Sequence, residues 1–346
     1  MADLPQITAI VCTYQRPEML KRCLTSILHQ TYQNFQICIY DNASGDETGD
    51  IAADFARQDT RIKYHCRPEN IGLLANYSRA MQAVQTPFFS FIADDDVMLP
   101  DFYLQAIAAM NQYPEAMLFA GSYLCLSLAG KKMGGASFNS EQLLAPAGAF
   151  QFIESNTYPN LHGTLLRREV IDSFSEFKYL WSDRELLCRI AAVSPVLTSD
   201  VESLLFTMHN LDKGQSRDIT IEYAWQVHET ISTSLQQVLD QKSNQRLQEI
   251  FRSQIRDSIY LIGIELLYAG DLAGARVGAK RIRQDYGTFW PPFILNLLAT
   301  LFEKLPFIRR FLVAVRYLNF SPQQISEKSA ILSYEALMEI YRQHQY

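Results

Sequence analysis

The stretch ITAIVCTYQRPEMLKRCLTSILHQTYQNFQICIYDNASGDET, residues 7–48, decides the fold of this 346-residue chain. Ile7–Thr13 and Phe35–Asp41 are short runs rich in β-branched and aromatic residues, which predict two buried strands. Between them, Pro17–His29 carries apolar residues at helical spacing with a proline near its start, which predicts a helix. Two strands joined through a helix form a βαβ unit with parallel strands. The stretch therefore predicts the beginning of an α/β fold.

The alternation of strand and helix patterns continues to about residue 130. It comprises a helix from Glu47, a strand over Arg61–Cys66, a helix over Leu74–Val84, a strand over Pro87–Ala93, a helix over Asp101–Gln112 and a strand near Ala116–Leu126. Strands that alternate with helices in this way predict repeated βαβ units and a mainly parallel sheet.

The pattern changes twice further along the chain. From about 130 to 216 it is looser, with glycine- and serine-rich loops, a helix over about 183–193 and a short strand over Val201–Met208. From about residue 218 onward the pattern is helical, and few glycine or proline residues interrupt it. We therefore expect an α/β domain over residues 1–215 and an α-helical domain over residues 216–346.

The composition excludes several classes of protein. With 48% hydrophobic and 20% charged residues, the chain is neither disordered nor a coiled coil. Its formal net charge of −6 gives no reason to expect nucleic acid as a partner. None of the six cysteines falls in a CxxC pair, which predicts reduced thiols in a cytoplasmic protein. The N-terminal MADLPQ does not resemble a signal peptide, and no run of about 18 apolar residues predicts a membrane span.

Polar residues follow four of the predicted strands, at the point where each strand ends. They are Thr13–Pro17, Asp41 with Asn42, Asn70–Gly72 and Asp94–Asp96. In an open parallel sheet, ligands bind at the carboxyl ends of the strands. The loops after successive strands should therefore meet at one edge of the sheet and form the binding site. No GxGxxG follows the first strand, and no GxxxxGK[ST] is present, so neither a dinucleotide site nor a P-loop is indicated.

Three consecutive aspartates, Asp94, Asp95 and Asp96, directly follow the apolar run FFSFI. Neighbouring carboxylates repel one another and are costly to keep ionised near a core unless a cation compensates. A hard divalent cation that shares its ligands with phosphates would do so. The alternative is a solvated acidic turn that caps the following helix. For Asp41 the alternatives are hydrogen bonds to a base or ribose and local bonds within its own turn.

The quoted stretch resembles the opening of family 2 glycosyltransferases of the GT-A fold, of the bacterial polysaccharide and O-antigen type. NIGLLANYSRAM is similar to the family's N-x-G segment, and FIADDDVMLPDF to its aspartate motif followed by proline. The ordered matches cover about residues 5–115, and weaker ones extend to 216. In the opening the matching residues are Thr13, Tyr14, Arg16, Leu20, Ser26, Ile27, Leu28, Gln30, Thr31, Asp41, Asn42, Ser44, Asp46 and Thr48.

The resemblance implies a GT-A catalytic domain with a mostly parallel, Rossmann-like sheet, and roles for some of the matching residues. Asp41 would bind the nucleotide base, with Thr13 and Arg16 against the base and the diphosphate. Asp94 and Asp96 would hold Mg²⁺ or Mn²⁺, with Asp95 close by. Ala93 departs from a common D-x-D-D pattern, so which aspartates face the metal stays open, with Asp96 as the first choice. Tyr14, Asn70 and Gly72 complete the nucleotide-binding candidates.

The family also implies residues that would act on the acceptor side. LWSDRELLCRIA places Asp183 where the family has its general base, with Arg189 downstream. Ser182–Glu185 is equally a helix-capping pattern, and the two interpretations are compatible. Trp181 would pack on a sugar face or serve as a core aromatic. His162 is a candidate for the acceptor pocket, and His209 for a loop that closes over the diphosphate; an exposed loop histidine is the alternative for His209.

A basic, apolar segment lies near the C-terminus. Residues 276–316 contain eight Lys and Arg against two acidic residues, which makes this segment +6 in an otherwise acidic chain. The apolar runs at 293–302 and 308–318 are too short to span a bilayer. They suit helices that lie on an anionic membrane surface. The alternative is a buried helical hairpin with arginines at its wet edge.

Together these observations predict an inverting, metal-dependent glycosyltransferase. It would move a sugar from a nucleotide-sugar donor to a glycan or lipid-linked glycan in surface polysaccharide synthesis. We expect it in the cytoplasm, peripheral on the inner face of the cell membrane, with possible contact through 276–318. Two alternatives stay open: a nucleotidyltransferase, and a non-catalytic membrane adaptor that keeps a GT-A scaffold.

Overall fold

The computed structural model describes residues 6–148, 159–173, 183–208, 233, 241–319 and 331–344. The chain divides into two compact units. Unit 1 comprises Met1–His209 together with Ser329–Tyr346, and unit 2 comprises Asn210–Lys328.

The described part of unit 1 contains ten strands. They are β1 Ile7–Thr13, β2 Phe35–Asp41, β3 Ile62–Cys66, β4 Phe88–Ala93, β5 Val97–Met98, β6 Leu118–Ser127, β7 Lys132–Ala136, β8 Gln142–Leu144, β9 Thr164–Arg167 and β10 Val196–Met208. The first six helices of the described residues also lie in unit 1. They are α1 Pro17–Leu28, α2 Thr48–Gln58, α3 Leu73–Gln82, α4 Phe102–Gln112, α5 Glu169–Ser173 and α6 Asp183–Val193, and a 3-10 helix, Leu161–Gly163, precedes β9. The strands and helices predicted from residue 7 to 127 are confirmed.

All the strands belong to one mixed sheet, whose main path has the order β3-β2-β1-β4-β9-β6-β10-β5. Strands β3, β2, β1 and β4 are parallel, as the βαβ pattern predicts. Strand β9 is antiparallel to both β4 and β6, whereas β10 is parallel to β6. Strands β7 and β8 pair with β6 and β10 outside the main path. The parallel half of the sheet therefore carries the predicted strand ends.

Strand β10 begins at Val196 and not at Val201, where the sequence pattern predicted it. Its pairing with β6 shifts register between Ser199 and Leu204. Polar residues at this irregularity interrupt the apolar run, so that only the second half of the strand is visible as a pattern. Strands β7, β8 and β9 were not predicted, because they are short and lie in glycine-rich sequence.

Strand β1 is buried at all seven positions. Ile7, Ala9 and Val11 lie in a core cluster with Leu20 and Leu24 of α1. Full burial of such a side chain stabilises the fold by about 1.5–3 kcal/mol. A strand covered on both faces forms a continuous apolar run, which explains why β1 was easy to predict.

Unit 2 consists of helices in its described part. They are α7 Gln241–Ala269, α8 Leu272–Tyr286, α9 Trp290–Lys304 and α10 Pro306–Asn319. Asp271 caps α8, since its Oδ1 accepts a hydrogen bond from the Gly274 amide at 2.8 Å. Gly287 ends α8 with a left-handed φ of 64°. The Arg309 guanidinium donates to the Tyr268 carbonyl at 3.3 Å and so caps the end of α7.

The length and apolarity of a helix decide whether it could cross a membrane. Within the described residues, no single helix is long and apolar enough to do so. Taken together, α9 and residues 306–312 are long and apolar enough, but a bend of 113° separates the two parts.

The final helix, α11 Tyr334–His344, belongs to unit 1, although the sequence places it in the helical domain 216–346. Its Leu337 and Met338 lie in an apolar cluster with Leu99 and Leu205. A local helical pattern specifies an amphipathic face but not the core that covers it, so this return could not be predicted.

Candidate functional site

The ends of three parallel strands bring the predicted site residues together. Thr13 at the end of β1 pairs with Asp41 at the end of β2, and Cys12 pairs with Ala93 at the end of β4. The Asn42 amide donates to the Thr13 carbonyl at 3.0 Å, which continues the pairing beyond the strands. The loops that follow β1, β2 and β4 consequently share one edge of the sheet.

Asp41 is buried and anchors the turn after β2. Its Oδ1 accepts hydrogen bonds from the Ser44 amide at 2.9 Å and the Ser44 hydroxyl at 2.6 Å. Its Oδ2 accepts one from the Tyr64 hydroxyl at 2.8 Å. Burial, reinforced by the bond to Asp41, raises the pKa of Tyr64. A carboxylate has about four acceptor positions. The Cys66 thiol also donates to Oδ2, at 3.9 Å. Asp41 therefore makes the local turn bonds, and its contact with a nucleotide base stays a prediction.

Ser44 ties the loop after β1 to the loop after β2. Its hydroxyl accepts a hydrogen bond from the Gln15 amide at 2.9 Å, and its carbonyl accepts one from Gln15 Nε2 at 3.1 Å. Gln15 has a φ of 53°, a conformation that non-glycine residues adopt rarely. The sequence predicts no individual role in the site for Ser44, Gln15 or Tyr64. The D-x-x-S spacing of Asp41 and Ser44 is the signal that could have identified the turn.

Asn42 and Asn70 join the loop after β2 to the loop before α3. Asn42 Nδ2 donates to Asn70 Oδ1 at 2.8 Å, and Asn42 Oδ1 accepts from the Ile71 amide at 2.9 Å. Asn70 Oδ1 also accepts from the Gly72 amide at 2.9 Å. Gly72 has a φ of 83° and open space around its Cα, so glycine is favoured there by conformation and not by crowding. The structure thus brings the predicted Asn70 and Gly72 into the same network as Asp41.

Arg16 holds the first two aspartates of the triplet. Its Nη1 lies 2.9 Å from Asp94 Oδ1 and 2.9 Å from Asp95 Oδ2. The Asp94 side chain is only 4% exposed, and that of Asp95 14%. Burial raises the pKa of Asp94 to about 6, the Asp95 charge adds to the rise, and Arg16 opposes it. This buried carboxylate pair is not the solvated acidic turn that the sequence left open.

Asp96 lies deeper than its neighbours and is bound to two other elements. It is completely buried. Its Oδ1 accepts a hydrogen bond from the Thr207 amide of β10 at 2.9 Å. Its Oδ2 lies 3.1 Å from His162 Nδ1. Burial raises the pKa of Asp96, and His162 opposes the rise. Asp96 therefore connects the aspartate segment to β10 and to the 3-10 helix.

Arg22 of α1 supports the aspartate segment from the interior. It is almost fully buried, and its Nη2 donates to the Asp95 carbonyl and, at 2.9 Å, to Thr207 Oγ1. Its Nη1 lies 3.4 Å from the Leu332 carbonyl, which precedes α11. Burial lowers the pKa of Arg22, while the charge of Asp96 opposes this change. Sequence reasoning missed Arg22 because its position in α1 resembles that of an ordinary helical arginine.

The aspartates fit a divalent cation that shares its ligands with a diphosphate. Mg²⁺ is typically bound through one or two carboxylates plus substrate phosphates. Asp94 and Asp95 supply such oxygens, and Arg16 compensates only one of their two charges. In the described part of the chain, no group of three or more His, Cys, Asp or Glu could hold a metal by itself. Asp96 is already engaged on both oxygens, with Thr207 on Oδ1 and His162 on Oδ2.

The acceptor-side candidates are only partly described. His162 lies beside Asp96 and stacks on Tyr77 with ring centroids 6.4 Å apart. Arg189 is buried in α6. Asp183 begins α6, but its side chain lies outside the described residues, as do Trp181 and His209 entirely. Their predicted roles on the acceptor side stay predictions, as does that of Tyr14, which is half-buried after β1.

Comparison with known proteins gives a family match over the first half of the chain. Residues 8–173 match the family described as "Glycosyl transferase family 2". The chain is 28% identical to glycosyltransferase GlyA of Streptococcus pneumoniae over 181 residues, which are 52% of this chain and 22% of that protein. It is 28% identical over 97 residues to a Campylobacter jejuni protein named GalNAc(5)-diNAcBac-PP-undecaprenol beta-1,3-glucosyltransferase. That match covers 28% of this chain and 31% of the relative. The chain thus spans less than a third of the length of either relative.

Two solved structures share the fold. S. aureus TarS 1–349 in complex with UDP-GlcNAc superposes with a TM-score of 0.63 at 15% identity, covering 99% of this chain and 93% of that one. The mannosyltransferase PcManGT from Pyrobaculum calidifontis, in complex with GDP-Man and Mn²⁺, superposes with a TM-score of 0.52 at 13% identity, covering 95% and 89%. At these identities the likeness shows the fold, and it confirms the GT-A architecture expected from the sequence.

Proposed function

Because residues 8–173 belong to glycosyl transferase family 2, we propose that this chain transfers a sugar from a nucleotide-sugar donor to a glycan or lipid-linked glycan. The observation that carries the proposal is the convergence of Asp41, Arg16 and Asp94 at one edge of the sheet. The nucleoside would lie along the Asp41 turn, and the diphosphate near Arg16 and the aspartates. The two structural neighbours were solved with UDP-GlcNAc and with GDP-Man, which supports a nucleotide sugar as the donor.

The proposed reaction needs stabilisation of a leaving nucleoside diphosphate, which gains negative charge as the glycosidic bond breaks. A bound Mg²⁺ or Mn²⁺ supplies electrophilic stabilisation of such a charge. The Mn²⁺ in the PcManGT complex supports a metal here. Asp94 keeps its proposed role as a ligand, and Asp95 becomes a further candidate because both face Arg16. Asp96 stays a candidate, with one of its oxygens already bonded to Thr207 and the other next to His162.

The guanidinium of Arg16 contributes in a second way. It is positioned beside the carboxylates that would hold the metal, and it can donate to phosphate oxygens through several N–H groups. We propose that Arg16 binds the diphosphate together with the metal. Positioned charges of this kind act mainly by electrostatic stabilisation of the developing charge.

The acceptor hydroxyl requires a general base, and Asp183 at the start of α6 is the proposed one. A single displacement at the anomeric carbon inverts its configuration, which is the outcome we propose. The Campylobacter relative's name describes transfer to an undecaprenol-linked glycan, and this supports a lipid-linked acceptor. We place the reaction in the cytoplasm at the inner face of the cell membrane, where residues 276–318 could contact the bilayer and a lipid-linked acceptor would be reached.

The decisive experiment measures donor binding and donor hydrolysis with the purified chain. A panel of uridine and guanosine diphosphate sugars is titrated calorimetrically, with and without Mn²⁺, and free nucleotide is then assayed. We expect one donor to bind in a metal-dependent manner and to be hydrolysed slowly. Asp94→Asn should lose hydrolysis, whereas the matched change Asp54→Asn, at an exposed position of α2, should not.

The same experiment separates the alternatives. Binding of no sugar nucleotide under any condition would contradict the transferase proposal and favour the adaptor alternative. Release of pyrophosphate from a nucleoside triphosphate and a sugar phosphate would instead indicate a nucleotidyltransferase.

A further inference from the structure

Helix α9 of unit 2 has two apolar faces, of which only one is covered. Its buried residues are Pro292, Leu295, Ala299 and Phe302, which recur at helical spacing. They pack within the unit, where Leu295 lies so close to Gly263 of α7 that an added Cβ there would come within 2.9 Å. This face accounts for the buried-hairpin interpretation of the sequence. It does not account for the apolar residues on the other side of the helix.

The second face is aromatic and exposed. Trp290, Phe293 and Leu297 follow one another at spacings of three and four residues, roughly opposite the buried set. Phe289 precedes them, and its ring lies 5.4 Å from that of Phe293 and 5.5 Å from that of Trp290. Large exposed apolar patches are rare on soluble proteins, and those that occur mark interaction sites. The cluster of three aromatic rings is a patch of this kind.

Exposed apolar residues also occur in the next helix. Leu305 lies between α9 and α10, and Phe307 and Phe311 follow at a spacing of four residues on one face of α10. Together with Phe289, Trp290, Phe293 and Leu297 they form a set that we call the aromatic face. Its seven members are between 40% and 68% exposed.

The charges around the aromatic face are predominantly positive. Residues 272–312 contain seven Lys and Arg against two acidic residues, a net charge of +5. Three of the arginines are engaged within unit 2: Arg276 with Glu303, Arg281 with Asp285, and Arg309 with the Tyr268 carbonyl. The other four, Lys280, Arg283, Lys304 and Arg310, form no ion pair within the described residues and are exposed. Both acidic residues already form ion pairs, so the unpaired charges of this segment are all positive.

We propose that the aromatic face is a docking surface for an anionic lipid bilayer. Aromatic side chains such as Trp and Phe partition to the boundary between headgroups and acyl chains, and basic residues beside them attract anionic headgroups. Lys304 lies on the exposed side of α9 and Arg310 lies beside Phe307 and Phe311, so that both chemistries occur on the same helices. The proposal rests on the membrane-peripheral location proposed above and names the surface that would contact the bilayer. It does not depend on the transfer reaction.

The test measures binding of the full chain to vesicles by flotation. Vesicles of equal parts phosphatidylcholine and phosphatidylglycerol are compared with vesicles of phosphatidylcholine alone, at about 0.05 M and about 0.5 M salt. We expect binding to the anionic vesicles that weakens at high salt. Each charge reversal in the variant Lys304→Glu/Arg310→Glu should weaken vesicle binding at least about fivefold. The matched change Lys63→Glu, at an exposed position of unit 1, should leave vesicle binding unchanged.

The apolar contribution has its own variants and readout. Phe289→Ser/Phe293→Ser should lower binding about tenfold, while Leu104→Ser, at an exposed leucine of α4, should leave it unchanged. Because Trp290 is one of only three tryptophans, its fluorescence should shift to shorter wavelength on addition of anionic vesicles, and Trp290→Phe should abolish that shift. Circular dichroism confirms that each variant is folded.

Two outcomes would overturn the proposal. One is wild-type protein that stays unbound to anionic vesicles at low salt. The other is a concentration-dependent dimer by light scattering that Trp290→Ser dissociates while vesicle binding is absent, which would make the aromatic face a self-association surface. Neither outcome affects the donor-binding experiment, which reports on the transferase proposal separately.

Discussion

Arg16 and Asp94 form a 2.9 Å ion pair at the edge of the sheet, although 78 residues separate them in the chain. The same nitrogen also bonds Asp95. Arg16 therefore partly neutralises, in the absence of any ligand, the carboxylates that would hold a metal. A metal ion bound here would compete with the arginine for these oxygens, and a diphosphate would relieve the competition by binding both.

This competition predicts opposite effects of one substitution on two affinities. Arg16→Gln should bind Mn²⁺ alone severalfold more tightly near neutral pH, because a competing cation has been removed. It should bind the nucleotide donor about tenfold more weakly, because a charge-assisted hydrogen bond to the diphosphate is lost. Paramagnetic resonance of Mn²⁺ and calorimetry of the donor measure the two quantities. Arg61→Gln, which breaks a comparable ion pair with Asp59, is the control. Parallel losses of both affinities would show that Arg16 and the metal do not compete.

The raised pKa of Asp94 predicts a dependence of stability on pH. The native carboxyl titrates at about 6 and the unfolded one at its ordinary value of 3.8. Between these values the native state binds more protons, so Asp94 lowers the free energy of unfolding as the pH rises through this window. Asp94→Asn should therefore be more stable than wild type above about pH 6, by about 1–3 kcal/mol, and the difference should shrink toward about pH 4. Urea denaturation across this range checks the prediction, and a pH-independent difference would contradict it.

Ser44→Ala should loosen the turn after β2, where we propose that the nucleoside lies, without removing a predicted ligand-binding group. The Gln15 amide loses its acceptor and Asp41 Oδ1 loses one of its two donors. We expect a loss of about 1–2 kcal/mol in the free energy of unfolding and a donor affinity several times lower. Chemical denaturation and calorimetry measure the two effects, with the exposed change Ser140→Ala as the control. Unchanged donor affinity in a destabilised Ser44→Ala protein would show that this link does not position the site.

Gly163→Ala should displace the 3-10 helix that carries His162. A Cβ at position 163 would lie 2.4 Å from Ser203 Oγ, so one of the two must move. We expect destabilisation of about 1–3 kcal/mol, typical of overpacking. The double variant Gly163→Ala/Ser203→Ala should recover part of this loss, since the nearest remaining Ser203 atom, its Cβ, lies at 3.4 Å. Thermal unfolding of the two variants and of Ser203→Ala closes the cycle. Full additivity of the single changes would contradict the steric explanation.

Features of the fold and of the site could be predicted where a local sequence pattern specifies them, and not where they depend on residues far apart in the chain. The elements β1, α1 and β2 are encoded by local periodicity, and the strand ends followed directly from them. The placement of Asp41 near Asp94 followed from parallel strand topology. The pairing of His162 with Asp96 did not, because it depends on β9, whose four residues carry no distinctive pattern. The contact of Arg22 with Leu332 is equally invisible locally, since it joins positions 310 residues apart.

That last contact has a consequence for how the protein is made. Arg22 joins the carbonyl of Asp95 to the carbonyl of Leu332, and α11 covers the apolar surface formed by Leu99 and Leu205. The ribosome synthesises residues 210–328 before it reaches this segment. The nascent first unit therefore lacks the cover of α11, and the Leu332 contact of Arg22, until residues 331–344 have been synthesised. Unit 1 is thus completed only after the whole of unit 2 has been made.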